Sequence, residues 1–231
     1  QFVRGVEGLH DASIAFGAPV VSGNVSFYNE TEGRAIPPTP TIAVLGVMTD
    51  VSKHLTPFFM TPGDLIMMVR TAPPALAASE FMSMFGGRDG GLPNIDLKRE
   101  NALIQGLVGA VSGGLVESAH DISEGGLAIA LVESCFSPDG IVGAELDGAK
   151  HGLIGEVELF GEGPSTVLLS LKEANRASVE RIFSSAGLEC RVVGRVTAEP
   201  RLMIAPVIDE DVNELRRIYE DALPGRLRAH E

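Results

Sequence analysis

The chain has 231 residues, 45% hydrophobic and 21% charged, with 27 Gly and 14 Pro, a composition that can bury a core and is unlike that of a disordered or collagen-like chain. Eighteen Lys plus Arg stand against 31 Asp plus Glu, a net charge of −13, which removes the electrostatic basis for general nucleic-acid binding or adhesion to anionic lipid. Any phosphate must be gripped locally, by backbone N–H groups, a metal ion or a few placed side chains.

Phe2, Val3, Val6, Leu9, Ala12, Ile14 and Phe16 recur at helical spacing and stop at Gly17, which predicts a first helix with glycine at its end. Pro19 to Phe27 and Thr41 to Met48 read as strands, separated by the polar turn Glu30 to Arg34 and the run Pro37-Pro38-Thr39-Pro40. This first block has too few elements to close a core alone. Its apolar strands should therefore lack partners, and self-association through residues 1–60 is expected.

The segment Lys53 to Gly63, with Pro57 and Pro62, is the candidate linker. After it, strands are predicted at Asp64 to Val69, Val116 to Asp121, Ser165 to Leu171, Cys190 to Val196 and Arg201 to Pro206. Helices are predicted at Ser79 to Met84, Asp96 to Val111, Leu127 to Phe136, Lys172 to Ala186 and Asp209 to Ala222. The third of these is expected to be a buried helix, since Leu127 to Phe136 is apolar on nearly every side, and the alternation gives a mixed α/β or α+β fold. Gln1 is not an initiator methionine and leads straight into a helical pattern, which suggests a piece of a longer polypeptide.

Cys135 and Cys190 lie in apolar stretches with no Cys-x-x-Cys and no His at ligand spacing, which argues against zinc. One long-range disulfide and two buried thiols in a reducing cytosol both stay open, the lack of a signal peptide favouring the thiols. No run reaches about 18 apolar residues, so no membrane span is expected.

Four constellations could carry chemistry. In a strand, Ser22, Asn24, Ser26 and Tyr28 share one polar face opposite Gly23, Val25 and Phe27; such a row could serve a cation, a phosphate or a substrate, or could simply face water. His120, Asp121, Ser123, Glu124, Gly125 and Gly126 join an apolar strand to an apolar helix. Here Ser123 is placed to cap the helix, and the unpaired N–H groups of its first turn suit an anion; structural capping explains the same residues. The loop Gly86 to Gly91 with Arg88 could fold over an anion or be plain loop. Asp209, Glu210, Asp211, Glu214, Glu220 and Asp221 with Arg216 and Arg217 read as a solvated helix. No Gly-x-Ser-x-Gly, P-loop or Gly-x-Gly-x-x-Gly is present, and His10, His54, His151 and His230 are isolated in the sequence.

Pro19 to Glu30 (PVVSGNVSFYNE), then Pro38-Thr39-Pro40 and a strand, then Ala119 to Ala128 (AHDISEGGLA) closely resemble the phosphoribosylformylglycinamidine synthase family, within the aminoimidazole-ribonucleotide-synthetase superfamily. The resemblance runs in order from the Gln1-Phe2-Val3-Arg4-Gly5 helix to the closing helix Val212 to Leu223. It implies that residues 1–60 are the later part of a ferredoxin-like amino-terminal-type domain and that 61–231 are a carboxy-terminal-type α/β domain.

The activity implied is the ATP-dependent joining of ammonia from glutamine to formylglycinamide ribonucleotide, with Mg²⁺. Gly23 would contact ATP, Asn24 would bind Mg²⁺ and Ser26 would contact substrate, while His120, Asp121, Ser123, Gly125 and Gly126 would form a phosphate or auxiliary site. The family's catalytic histidines and main acidic metal ligands have no counterpart in this chain, so the chain alone is expected to be inactive. Its implied partners are the first module of the same parent chain, a glutaminase subunit and a small accessory subunit, in the cytoplasm, with neither nucleic acid nor membrane. Two other readings stay open: a non-catalytic nucleotide-binding or scaffolding module of that complex, and another superfamily enzyme such as aminoimidazole ribonucleotide synthetase, against which the Asn24 to Asn29 run speaks.

Overall fold

Two units divide the chain, Gln1–Val51 and Ser52–Glu231, in a computed structural model that describes residues 1–25, 30–37, 39–86 and 94–228. In the first unit, α1 (Phe2–Phe16) ends at Gly17, whose left-handed φ of 61° brings its N–H to Ile14 O. Strands β1 (Glu30–Thr31) and β2 (Arg34–Ala35) pair antiparallel. Their two-residue turn has positive φ at both Glu32 and Gly33 (51° and 74°), the twist that matches a tight hairpin.

The predicted strands at 19–27 and 41–48 are corrected by the structure: 19–25 and 41–48 are irregular backbone. Residues 26–29 lie outside the described residues. Val21 is 91% and Leu45 94% exposed. Strand propensity expresses itself through cross-strand partners and burial, and among the described residues these segments have neither.

In the second unit the elements follow as β3 (Leu65–Arg70), α2 (Glu80–Phe85), α3 (Leu97–Ser112), β4 (Ser118–Asp121), α4 (Gly126–Ser134), β5 (Gly143–Asp147), α5 (Gly148–His151), α6 (Glu156–Phe160), β6 (Thr166–Leu171), α7 (Arg176–Ser185), β7 (Glu189–Thr197), β8 (Arg201–Ala205), β9 (Ile208–Asp211) and α8 (Val212–Arg228). Seven strands form one sheet in the order β4-β6-β3-β7-β5-β8-β9. Neighbours are antiparallel except β5 and β8, which run parallel. The fold is mixed α/β.

Each face of the sheet is covered. Ile66 and Met68 of β3 join Leu168 of β6 and Leu127 and Leu131 of α4 in one core. The alternate residues Leu65, Met67 and Val69 join Leu169, Leu171, Leu103 of α3 and Val179 and Phe183 of α7 in the other. Burial on both faces makes β3 and β6 continuous apolar runs rather than alternating ones. On the second face α3 and α7 approach closely because position 106 is glycine: a Cβ there would lie 2.7 Å from the Phe183 ring. Asp96 caps α3 by accepting from the N–H groups of Lys98 and Arg99 (3.0 and 3.1 Å).

Residues 53–63, read from their prolines as a linker, are held on the second unit. Phe59 is fully buried, its N–H donates to Ser134 O (2.7 Å), and Gly63 N–H donates to Val196 O (2.8 Å). The predicted helix at 209–222 also changes: Asp209 to Asp211 belong to β9, paired with β8, and the helix begins at Val212. Asp211 accepts from Asn213 N–H (2.7 Å) and Glu214 N–H (3.3 Å). Hydrogen bonds from Asn213, side chain first and then backbone, hold its carboxyl below the usual range. Strand β5 and the short helices α5 and α6 had no counterpart in the predicted elements. The cysteines are free thiols, Cys135 buried and Cys190 half-buried, so of the two readings the disulfide is not formed. Burial pushes the Cys135 thiol up to about 12. Among the described residues no helix is long and apolar enough to cross a membrane.

Asp64, at the start of β3, is the charged residue in this core: it is 5% exposed and its Oδ2 has no hydrogen-bond partner. Burial, then Glu117, raises its carboxyl above the ordinary 3.8, opposed by Lys172. A folded-state value above the unfolded one contributes stability that is complete below the unfolded value and lost as pH rises through the folded one. In Asp64→Asn that loss is absent, so stability of the variant relative to wild type should increase as pH goes from 4 to 7; urea denaturation at several pH values checks the slope.

Candidate functional site

The junction between β4 and α4 brings together most of the polar residues singled out in the second unit. Strand β4 pairs with β6 at the sheet edge, His120 opposite Leu168 and Asp121 opposite Val167. His120 therefore turns to the face covered by α4. Its Nε2 lies 3.1 Å from Glu133 Oε2 on that helix and its Nδ1 lies 3.3 Å from Asp121 Oδ1. Both ring nitrogens are engaged by the chain's own carboxylates, which makes His120 a tie between strand and helix rather than a base turned toward a ligand.

Ser123, predicted to cap α4, does not do so with its side chain. The N-cap is Gly125, with φ 79° and no side-chain cap hydrogen bond, and Ser123 contributes its carbonyl to Gly126 N–H (3.1 Å). The pair of glycines has a steric cause. Gly126 also has positive φ (73°), and a Cβ there would lie 2.7 Å from the Phe160 carbonyl carbon, so only glycine lets α4 start against the end of α6.

An anion does sit at this helix end, and it is the protein's own. Glu162 Oε1 accepts from Gly125 N–H and from Glu80 N–H, each at 2.8 Å. Its backbone pairs with Ala75 in both directions (2.9 and 2.8 Å). One residue thus fastens α2, the segment before it and the start of α4, and its carboxylate meets the positive end of the helix dipole. Phe81 stacks on Phe160 beside it, ring centroids 5.6 Å apart. At the neighbouring start of β6, the Ser165 hydroxyl donates to Glu100 Oε2, and burial raises the Glu100 carboxyl above its ordinary value. Glu162 was missed from the sequence. The available signal was Phe160-Gly161-Glu162-Gly163, since a Cβ at Gly161 would lie 2.2 Å from Val157 O.

Gly23 and Asn24 belong to the first unit. Both lie in exposed irregular backbone, off any strand, and a Cβ at Gly23 would meet nothing within 4 Å. The polar strand face expected of Ser22, Asn24, Ser26 and Tyr28 is therefore not formed by its described members, while Ser26 and Tyr28 lie outside the described residues. Of the Gly86 to Gly91 loop only Gly86 is described, so Arg88 also falls outside.

The profile of the family described as AIR synthase related protein, C-terminal domain, matches residues 61–205. The chain belongs to this family. The matched span runs from just before β3 through β8 and includes His120, Glu133 and Glu162 but not Gly23 or Asn24. Over 240 aligned residues, 99% of the chain, it is 39% identical to the phosphoribosylformylglycinamidine synthase subunit PurL of Anaeromyxobacter sp. (strain K), and the alignment takes in 31% of that protein. The PurL of Thermococcus sibiricus is likewise 39% identical over 98% of the chain and 32% of its own length. The chain thus spans about a third of the curated relatives it matches. Among solved structures, T. maritima PurL complexed with FGAR superposes with a TM-score of 0.59 at 22% identity, over 71% of this chain and 30% of that one, which shows a shared fold.

If Glu162 is the fastening described, Glu162→Ala should lower unfolding free energy by about 2 kcal/mol, the worth of charge-assisted hydrogen bonds in a half-buried setting. Hydrogen exchange at the Gly125 and Glu80 amides should accelerate beyond that global change, whereas amides of α7 should follow only the global change.

Proposed function

We propose that this chain supplies part of an ATP-dependent ligase of purine biosynthesis, phosphoribosylformylglycinamidine synthase, which converts formylglycinamide ribonucleotide and ammonia from glutamine to formylglycinamidine ribonucleotide. The observation that carries the proposal is the 39% identity to PurL subunits across 99% of the chain. In this reaction ATP phosphorylates the amide oxygen to give an iminophosphate and ADP, and ammonia then displaces phosphate. The protein's share is to position the groups and neutralise charge.

Residues 1–60 are assigned to the later part of an amino-terminal-type ferredoxin-like domain and 61–231 to the carboxy-terminal-type domain. Gly23 is assigned to ATP, Ser26 to the substrate and Asn24 to Mg²⁺, the ion that neutralises phosphate charge when bound. The open space at Gly23 and the exposure of Asn24 support approach by a ligand. Asn24 offers one neutral oxygen, and no group of three or more His, Cys, Asp or Glu among the described residues could hold a metal. A hard six-coordinate ion therefore has to draw its remaining ligands from the substrates, water or the rest of the parent protein. His120, Asp121, Ser123, Gly125 and Gly126 are assigned to an auxiliary phosphate site only insofar as a phosphate competes with the Glu162 carboxylate for Gly125 N–H.

The partners proposed are the first module of the parent chain, a glutaminase subunit and a small accessory subunit, in the cytoplasm. A solved T. maritima assembly named PurLQS, similar in fold to this chain with a TM-score of 0.53, supports a multi-component complex. In a full-length synthetase containing this segment, Asn24→Ala should lower ammonia-dependent ADP formation about 10-fold or more with Tm nearly unchanged. An unchanged rate would remove Asn24 from the site, and a full-length protein that forms no formylglycinamidine ribonucleotide would overturn the assignment.

The exposed apolar residues Val20, Val21, Val25, Ile42, Val44, Leu45, Val47 and Met48 support self-association of the isolated chain through residues 1–60, because exposed apolar segments without partners pair with one another. Light scattering should give a mass above that of the monomer that falls on dilution, and Val44→Asp with Leu45→Asp should shift the chain to monomer.

A further inference from the structure

The register of β3 against β7 places two arginines on one face of the sheet. Past the irregularity at Ile66 and Met67, Met68 lies opposite Arg191 and Arg70 opposite Glu189. Directly opposed residues share a face, and residues two apart in a strand return to it. Met68 belongs to the core beneath α4, so Arg70 and Arg191 face that side as diagonal neighbours, about 7–8 Å apart along the backbone.

Both guanidinium groups are incompletely satisfied. Arg70 Nε and Arg191 Nε are buried and have no hydrogen-bond partner. Arg70 gives Nη1 to Glu158 Oε2 of α6 at 2.8 Å, with its side chain 14% exposed. The third group is His151, at the end of α5. Its imidazole is held below its ordinary value first by burial and then by the positive charges of Lys150 and Arg191, against the opposing charge of Asp147, which sets it in the field of Arg191.

The nearby carboxylates do not reach the two Nε–H donors. Glu158 is committed to Nη1 of Arg70. Asp147 Oδ1 accepts from Lys150 N–H as the cap of α5 (2.9 Å). Glu189, opposite Arg70, is exposed. A guanidinium has donors and no acceptor, so only an acceptor completes it, and its planar fork matches the oxygens of phosphate. A water could satisfy one Nε–H donor but brings no negative charge to Arg191. A tetrahedral oxyanion accepts from both arginines at once and favours the charged ring.

We infer that Arg70 and Arg191 form a binding site for a phosphate group on the face of the β3–β7 pair, with His151 as the titrating group whose response reports its occupancy. The site shares no residue with the β4–α4 junction, and it does not depend on the ligase assignment.

The test follows the Arg Nε–Hε resonances and the His151 ring resonance, assigned by its loss in His151→Asn, in the 231-residue chain. Inorganic phosphate is titrated against chloride at matched ionic strength. Saturable shifts at both Nε–H groups and an upward move of the His151 titration midpoint are expected, because a bound anion favours imidazolium. Arg191→Gln and Arg191→Lys should each weaken phosphate binding about 10-fold, the lysine variant because it keeps charge but loses the fork. Phenyl phosphate separates the sources: binding at least as tight as phosphate assigns the site to a phosphate monoester, and exclusion of the ester with phosphate retained assigns it to free phosphate. Shifts that chloride reproduces, that fail to saturate, or that persist undiminished in a folded Arg191 variant would overturn the inference. Should neither Arg191 variant fold, an unmoved His151 midpoint in the wild-type chain overturns it equally.

Discussion

Strand β3 carries no polar side chain before Arg70, so both of its faces have to be kept from water, and much of the second unit answers that requirement. On one side α4 lies over Ile66 and Met68; on the other α3 and α7 lie over Leu65, Met67 and Val69. The neighbouring strands β6 and β7 supply the main-chain partners. Because the strand is buried on both faces, what its ends carry is brought to defined places: Asp64 to the edge of the core at one end and Arg70 to the α6 side at the other.

The same demand for close layers shapes the β4–α4 junction. Helix α4 can start against α6 only with glycine at 126, and its exposed N–H groups then need an acceptor. Glu162 supplies it from the chain itself, and by also holding the Glu80 N–H it couples that helix end to α2. A motif that has the look of an anion receptor is thus satisfied internally, and any phosphate arriving there would have to displace a carboxylate whose backbone is already fastened to Ala75. The Arg70–Arg191 pair presents the reverse situation, donors in place with acceptors missing.

In the first unit the balance is different. The apolar residues of 19–25 and 41–48 remain exposed, because a strand is an arrangement between segments and not a property of one. The likeness to PurL continues through this part of the chain.

The sequence by itself determined the helices and strands of the second unit whose periodicity or apolar run was long enough to be read: β3, β6, β7, α3, α4 and α7 all lie close to where their patterns put them. It also carried the family likeness, through the Ser22-Gly23-Asn24 and His120-to-Gly126 runs. It did not show β5, whose Gly-Ala-Glu-Leu-Asp run holds one large apolar residue, nor α5 and α6, which are too short for a helical period to register, nor the pairing of Asp209 to Asp211 with β8, because local charge reads as helix until a strand edge lies alongside. Tertiary structure alone decided that the anion at α4 is Glu162, 37 residues from Gly125, and that Arg70 and Arg191 share a face. Both are matters of register between distant segments, and register is set by how two buried faces pack together rather than by anything a single stretch of residues contains.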